Sequence, residues 1–339
     1  MSAASGLLVR SLSSGVDRLA GGPRLSILIF HRVTPEADPL FPNEMQARRF
    51  EVLCAMLARD YQVLTLARAV RLRQQARLPP RALVITFDDG YADNATHALP
   101  ILQRHGLAAT FFVSTGFLDG GRMWNDTVIE CIRRCTRTHI DLEGFGLGRA
   151  PLGGLHERRL AIGALLRHLK YLGLAQRQGA MPRLLQAAGS PELPDDLMMR
   201  SDQVLALHQA GMEVGAHTVN HPILRVIPDP QARYEIQAGA DRLAELIGSP
   251  PVSFAYPNGG PDRDYDQRHV RMVQEAGFMA AVSTAPGVVQ PGADLFQLPR
   301  FTPWDPAPWR WALRLLAMRL RSPAYARAAL NAGPTRTLA

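Results

Sequence analysis

Two adjacent carboxylates and two imidazoles four residues apart are the groups in this sequence best suited to chemistry. Asp88 and Asp89 follow Leu83-Val84-Ile85-Thr86-Phe87 and precede Gly90, so an apolar, β-branched strand delivers two acids to its C-terminal end. Successive strand side chains point to opposite faces, and a glycine turn lets the backbone swing both acids toward one mouth. Two like charges this close need a cation beside them. The best cation site lies in Val214-Gly215-Ala216-His217-Thr218-Val219-Asn220-His221-Pro222, where another short strand runs into two histidines that share a face if the segment turns helically. One carboxylate oxygen and two imidazole nitrogens leave open positions for water and substrate, a set suited to Zn2+ or a similar divalent ion.

The surrounding pattern alternates strands and helices. Strands are expected at 25–30, 63–64, 83–87, 108–113, 252–255, 279–283 and 295–298, with helices around 50–57, 65–76, 199–210, 230–247 and 265–276. His31 leaves the first strand, placed either to line the same mouth or to serve as a satisfied structural histidine. Asp93 and Asn94 stand where a helix begins and read as caps. The alternation stops between 120 and 194, where helices over 156–171 and 174–188 and a Gly-rich turn near 144–154 read as an all-helical insertion. Its Trp124 offers a stacking face to a sugar, although helix packing is the commoner use of such a residue.

Thr-Phe-Asp-Asp-Gly at 86–90 and His-Thr-Val-Asn-His at 217–221 resemble the first two motifs of the polysaccharide deacetylases, also called the NodB homology domain or carbohydrate esterase family 4. The resemblance implies a distorted (β/α)7 barrel that hydrolyses an N-acyl group on a sugar. It makes Asp88 the general base and Asp89, His217 and His221 the metal ligands. Tyr256-Pro257-Asn258-Gly259 aligns with the third motif, with Ala255 where the family carries the arginine that holds the base. This loop would face a developing oxyanion, with Tyr256 as the expected donor. The last strand ends Leu298-Pro299-Arg300, where many members carry the histidine that acts as general acid. His31 is the leading substitute acid, and Arg300 a candidate substrate contact. With Phe30-His31-Arg32-Val33, the chain looks closest to the exopolysaccharide deacetylase branch.

By this reading, 1–24 is an amphipathic segment, 25–119 with 195–303 the barrel, 120–194 the insertion, and 304–339 a basic helix and tail. A net charge of +8 would ordinarily suggest nucleic acid, but 37 arginines against the single Lys170 point to codon bias, and no nucleic-acid partner is expected. Cys54, Cys131 and Cys135 show no disulfide or metal spacing and suit a reducing compartment. No secretory signal is evident, so a cytoplasmic protein is expected. Leu8, Leu12, Val16 and Leu19 recur at helical spacing, and Trp309, Leu313, Leu316 and Leu320 form a stripe beside Arg310, Arg314 and Arg321. Both patterns fit either packing on the barrel or contact with the inner face of the plasma membrane. The expected activity is metal-dependent removal of an acetyl or formyl group from an amino-sugar glycan or glycolipid. Rival readings are a non-catalytic glycan-binding protein on a decayed barrel, prompted by the missing arginine and histidine, and a small-amide amidase.

Overall fold

The computed structural model describes residues 23–302 and 308–320. β1 (Ser26–Phe30), β2 (Gln62–Leu64), β3 (Ala82–Phe87) and β4 (Thr110–Val113) belong to one parallel sheet with β7 (Glu213–Ala216), β8 (Ser253–Ala255), β9 (Ala280–Pro286) and β10 (Leu298–Arg300). The order is β1-β3-β4-β7-β8-β9-β10, with β2 beside the start of β3. Phe301 nearly closes the ring: its N–H donates to Ile27 O at 2.8 Å and its carbonyl accepts from Ile29 N at 3.1 Å. The result is the expected distorted barrel.

Strand alternation divides the core in two. Leu83, Ile85 and Phe87 pack outward against the helices, and Phe87 stacks on Phe111 with ring centres 4.7 Å apart. Val84, Phe112, Ala255, Val282 and Leu298 form the other cluster with Leu66, Ala69 and Val70 of the helix Leu66–Gln74. Glu213 ties the first turn of that helix to the sheet, accepting from Ala67 N at 2.8 Å and from Ser253 Oγ at 2.6 Å. These bonds satisfy a helix-start amide and place a carboxylate where the helix dipole favours it.

Helices dominate residues 120–194, but the segment is not all-helical. β5 (His139–Asp141) and β6 (Arg149–Pro151) pair antiparallel across the Gly-rich turn. Strands of three residues with one buried apolar side chain, Ile140, carry too little alternation to be read from sequence. The segment has its own core, including Val128, Ile132, Leu165, Leu169 and Leu184, with Leu40 from the barrel side joining it. Cys54, Cys131 and Cys135 are free and buried.

The N-terminal stripe Leu8, Leu12, Val16, Leu19 and residue Arg321 lie outside the described residues, as do the side chains of Trp309 and Leu320. In the helix Pro308–Leu320 the buried side chains are Trp311, Leu315, Leu316 and Arg319, whereas Leu313 is 53% exposed. Of the expected stripe's described side chains, Leu316 is packed and Leu313 is not, and Arg319 reaches β1 and donates to Ser26 Oγ at 3.1 Å. No described helix is long and apolar enough to cross a membrane.

Candidate active site

The same alternation delivers the candidate residues. On β3 the even positions Ala82 and Val84 belong to the inner cluster, so Asp88 emerges at the barrel mouth. Asp89 has the opposite parity and would point toward the helices. Its φ of +79°, uncommon for a non-glycine residue, turns it back to the mouth. Thr218, His221 and Asn258 are left-handed as well, with φ of +67°, +48° and +58°. Backbone strain thus collects around one centre, as it does at functional sites.

Asp88 is 2% exposed and is gripped by Arg300, whose Nη1 donates to Oδ1 at 2.7 Å and Nη2 to Oδ2 at 2.6 Å. Arg300 Nη1 also donates to Thr86 Oγ1, and Nε donates to Ser283 O at 2.8 Å. Arg300 is therefore not a substrate contact. It is 1% exposed, each guanidinium nitrogen donates to protein, and it holds Asp88 although the third-motif position carries Ala255. Burial pushes the Asp88 carboxyl up, but Arg300, His217 and His31 outweigh that and leave it below the usual carboxylate range. Each oxygen retains a further lone pair for a proton.

Asp89 Oδ1 lies 3.4 Å from His217 Nε2 and 3.4 Å from His221 Nε2, yet it is buried without a hydrogen-bond partner. An orphaned carboxylate oxygen facing two imidazole nitrogens fits three ligands to one cation, and the three donor atoms lie within 4.8 Å of one another. His217 Nδ1 is 2.7 Å from Ala255 O, so as a donor there it leaves Nε2 its lone pair. Burial, with the charges of His217 and Arg177, drives the His221 imidazole down to about 3 against the pull of Asp89, favouring the neutral ligand form.

The two histidines do not share a helical turn. Residues 217–223 are irregular, and the left-handed Thr218 and His221 bring the rings to 4.7 Å. Glu235, 1% exposed on the helix Asp229–Ile247, holds this loop by accepting from Val219 N at 3.0 Å and Asn220 N at 2.7 Å. It was missed in the sequence because its partners are main-chain amides. Glu235→Ala is expected to free the loop and weaken divalent-ion binding about 10–100-fold. Zinc titration of the variant checks this, and an unchanged affinity would remove Glu235 from the site.

In the 256–260 loop Tyr256 is not the free donor. Its N–H donates to Val282 O at 3.2 Å and its ring stacks on Tyr265 at 3.8 Å, facing away from the mouth. Pro257 has no N–H, Gly259 N donates to Pro257 O, and Gly260 N to Asp264 Oδ2. The Asn258 amide is the one left without a partner among the described residues. Gly259 is obligatory, since its φ is +60° and a Cβ would sit 2.9 Å from Thr284 N.

His31 is half-buried at the mouth, where its charge bears on both Asp88 and Asp89. Asp93 and Asn94 anchor that segment rather than capping a helix: Asp93 accepts from Arg32 Nε and Val33 N, and Asn94 Nδ2 donates to His31 O at 2.9 Å. Trp124 is half-buried, with the Arg177 guanidinium 4.9 Å from its ring centre, so that ring face is unavailable to a sugar.

The family description "Polysaccharide deacetylase" matches residues 75–144 and 175–281, and the chain belongs to this family of hydrolases that cleave the carbon–nitrogen bond of linear amides. The unmatched 145–174 falls inside the insertion. The fold is similar to the Streptococcus pyogenes deacetylase PplD solved with acetate, at TM-score 0.57 and 19% identity over 87% of this chain and 98% of that one. It is also similar to IcaB from Ammonifex degensii, at TM-score 0.54 and 19% identity over 88% and 98% of the two chains. The chain is 20% identical over 279 residues to the Bacillus subtilis protein YxkH, 82% of this chain and 70% of that one.

Proposed function

We propose that the protein removes an N-acyl group, acetyl or formyl, from an amino sugar of a glycan or lipid-linked glycan precursor, using one divalent ion at Asp89, His217 and His221. The orphaned Asp89 Oδ1 between two imidazole nitrogens is the observation that carries this reading. A divalent ion held there, with zinc the expected metal, would polarise the acyl carbonyl and lower the pKa of water from about 15.7 toward about 7. Asp88, fixed by Arg300, takes the proton from the attacking water. The Asn258 N–H supports the oxyanion, and His31 protonates the leaving amine. The two amphipathic ends motivate a peripheral place at the inner face of the plasma membrane. Flotation with anionic liposomes tests it, and a protein that stays wholly in the soluble fraction would exclude it.

Metal analysis of protein purified without chelator, wild type against Asp89→Ala, is the primary test. About one divalent ion per chain in the wild type and none in the variant is expected, with acetate release from N-acetylglucosamine oligomers lost in parallel. A chain that takes up no ion even when zinc is offered would overturn the proposed centre.

A further inference from the structure

The insertion brings a second arginine to the mouth, and its surroundings differ from those of Arg300. Arg177, on the helix Leu174–Ala187, is 4% exposed, and its guanidinium donates no hydrogen bond to any described residue. Its guanidinium carbon lies 4.9 Å from the centre of the Trp124 ring. Burial without an acceptor depresses its basicity to about 10, against the opposing pull of Glu235. Both Glu235 oxygens are already taken, by the amides of Val219 and Asn220 and by Asn220 Nδ2 at 2.8 Å. Trp124 opens the helix Trp124–Arg134, whose Asp126 Oδ1 accepts from Tyr91 Oη at 3.2 Å, and Tyr91 lies two residues beyond Asp89, so the Arg177–Trp124 pair borders the proposed metal centre.

A nearly buried guanidinium with no anion is costly, and proteins normally answer it with a carboxylate, as Asp88 answers Arg300. Here no described carboxylate bonds the guanidinium, and Glu235, whose charge acts on it, has both oxygens engaged by the 219–220 loop. An aromatic neighbour supports a guanidinium without using its N–H donors, which stay free for forked hydrogen bonding to an anion.

We propose that Arg177, seated on Trp124, is the recognition site for an anionic group, phosphate or carboxylate, carried by the acylated sugar or its immediate neighbour. The assignment rests on the deacylase reading of the Asp88, Asp89, His217 and His221 centre. The substrate is then an acidic glycan or glycosyl phosphate rather than a neutral polymer, and the insertion sets that specificity.

Calorimetric titration of zinc-loaded protein with three matched ligands tests this: the neutral methyl glycoside of N-acetylglucosamine, its 1-phosphate, and the methyl glycoside of N-acetylglucosaminuronic acid. Wild type should bind one of the charged ligands about tenfold or more tighter than the neutral one, with the margin shrinking as salt rises. The ligand preferred distinguishes a phosphate from a carboxylate source. Arg177→Met should erase the preference and leave neutral-ligand affinity unchanged, and Arg177→Lys should keep part of it. Equal affinities in the wild type, or a preference that survives Arg177→Met, would overturn the proposal. Should Arg177→Met fail to fold, the wild-type comparison and Arg177→Lys still decide. Acetate release is followed separately: a charge preference without release from any ligand would reject the deacylase reading and leave the anion site standing.

Discussion

Arg300→Met is expected to lower acetate release about a hundredfold or more, because the carboxylate that accepts the proton loses the two bonds that aim it. Asp88 would remain buried without its strongest charge partner, so its pKa should rise. Removing one partner of a buried pair also costs stability, about 3–5 kcal/mol. The pH dependence has a definite sign. The folded Asp88 lies below its ordinary range, so the pair stabilises the fold above the unfolded carboxyl pKa, and this is lost as pH falls through the folded value. Denaturant melts from pH 7 downward should therefore show a smaller acid-side loss in Arg300→Met than in wild type. Arg300→Lys should be intermediate, since an ammonium cannot bridge both oxygens in the same plane. Full activity in Arg300→Met would show that Asp88 needs no positioning or is not the base.

The second large effect separates base from ligand. Asp88→Asn should retain about one divalent ion per chain and lose about a hundred- to ten-thousandfold in turnover, the usual worth of a general base. Asp89→Ala should lose both ion and activity. Metal content and acetate release on the same preparations distinguish the two residues. An Asp88→Asn protein that turns over at the wild-type rate would dismiss Asp88 from the chemistry.

The barrel and the convergence of Asp89, His217 and His221 were legible because they rest on local pattern. An apolar run ending in two acids, and a short strand ending in paired histidines, announce strand ends. Residue types missing from expected positions were legible too, but not their replacement. Arg300 meets Asp88 across 212 positions of chain, and nothing nearby names its partner. Its parity was available, since Leu298 two residues earlier faces the inner cluster. Tyr256 was misread because β8 pairing continues through its N–H to Val282, one residue beyond the apparent strand end. Asp93 and Asn94 looked like caps because such residues usually are, and their actual partners lie 60 and 63 positions away. With Arg300 in place, the missing motif-three arginine no longer argues for a decayed, non-catalytic barrel.

Phe301 joins the two ends of the sheet one residue after Arg300. The last seam of the barrel and the orientation of the base are therefore a single event in folding. Closing it requires contacts across more than two hundred residues, the slowest kind to form. Until then Asp88 lacks the guanidinium that grips it. A protease nick or a frayed seam near 300 would take Arg300 from Asp88 and leave the Asp89, His217 and His221 cluster, which lies on other strands, in place. If the proposed centre is right, activity is thus a more sensitive report of barrel closure than metal content.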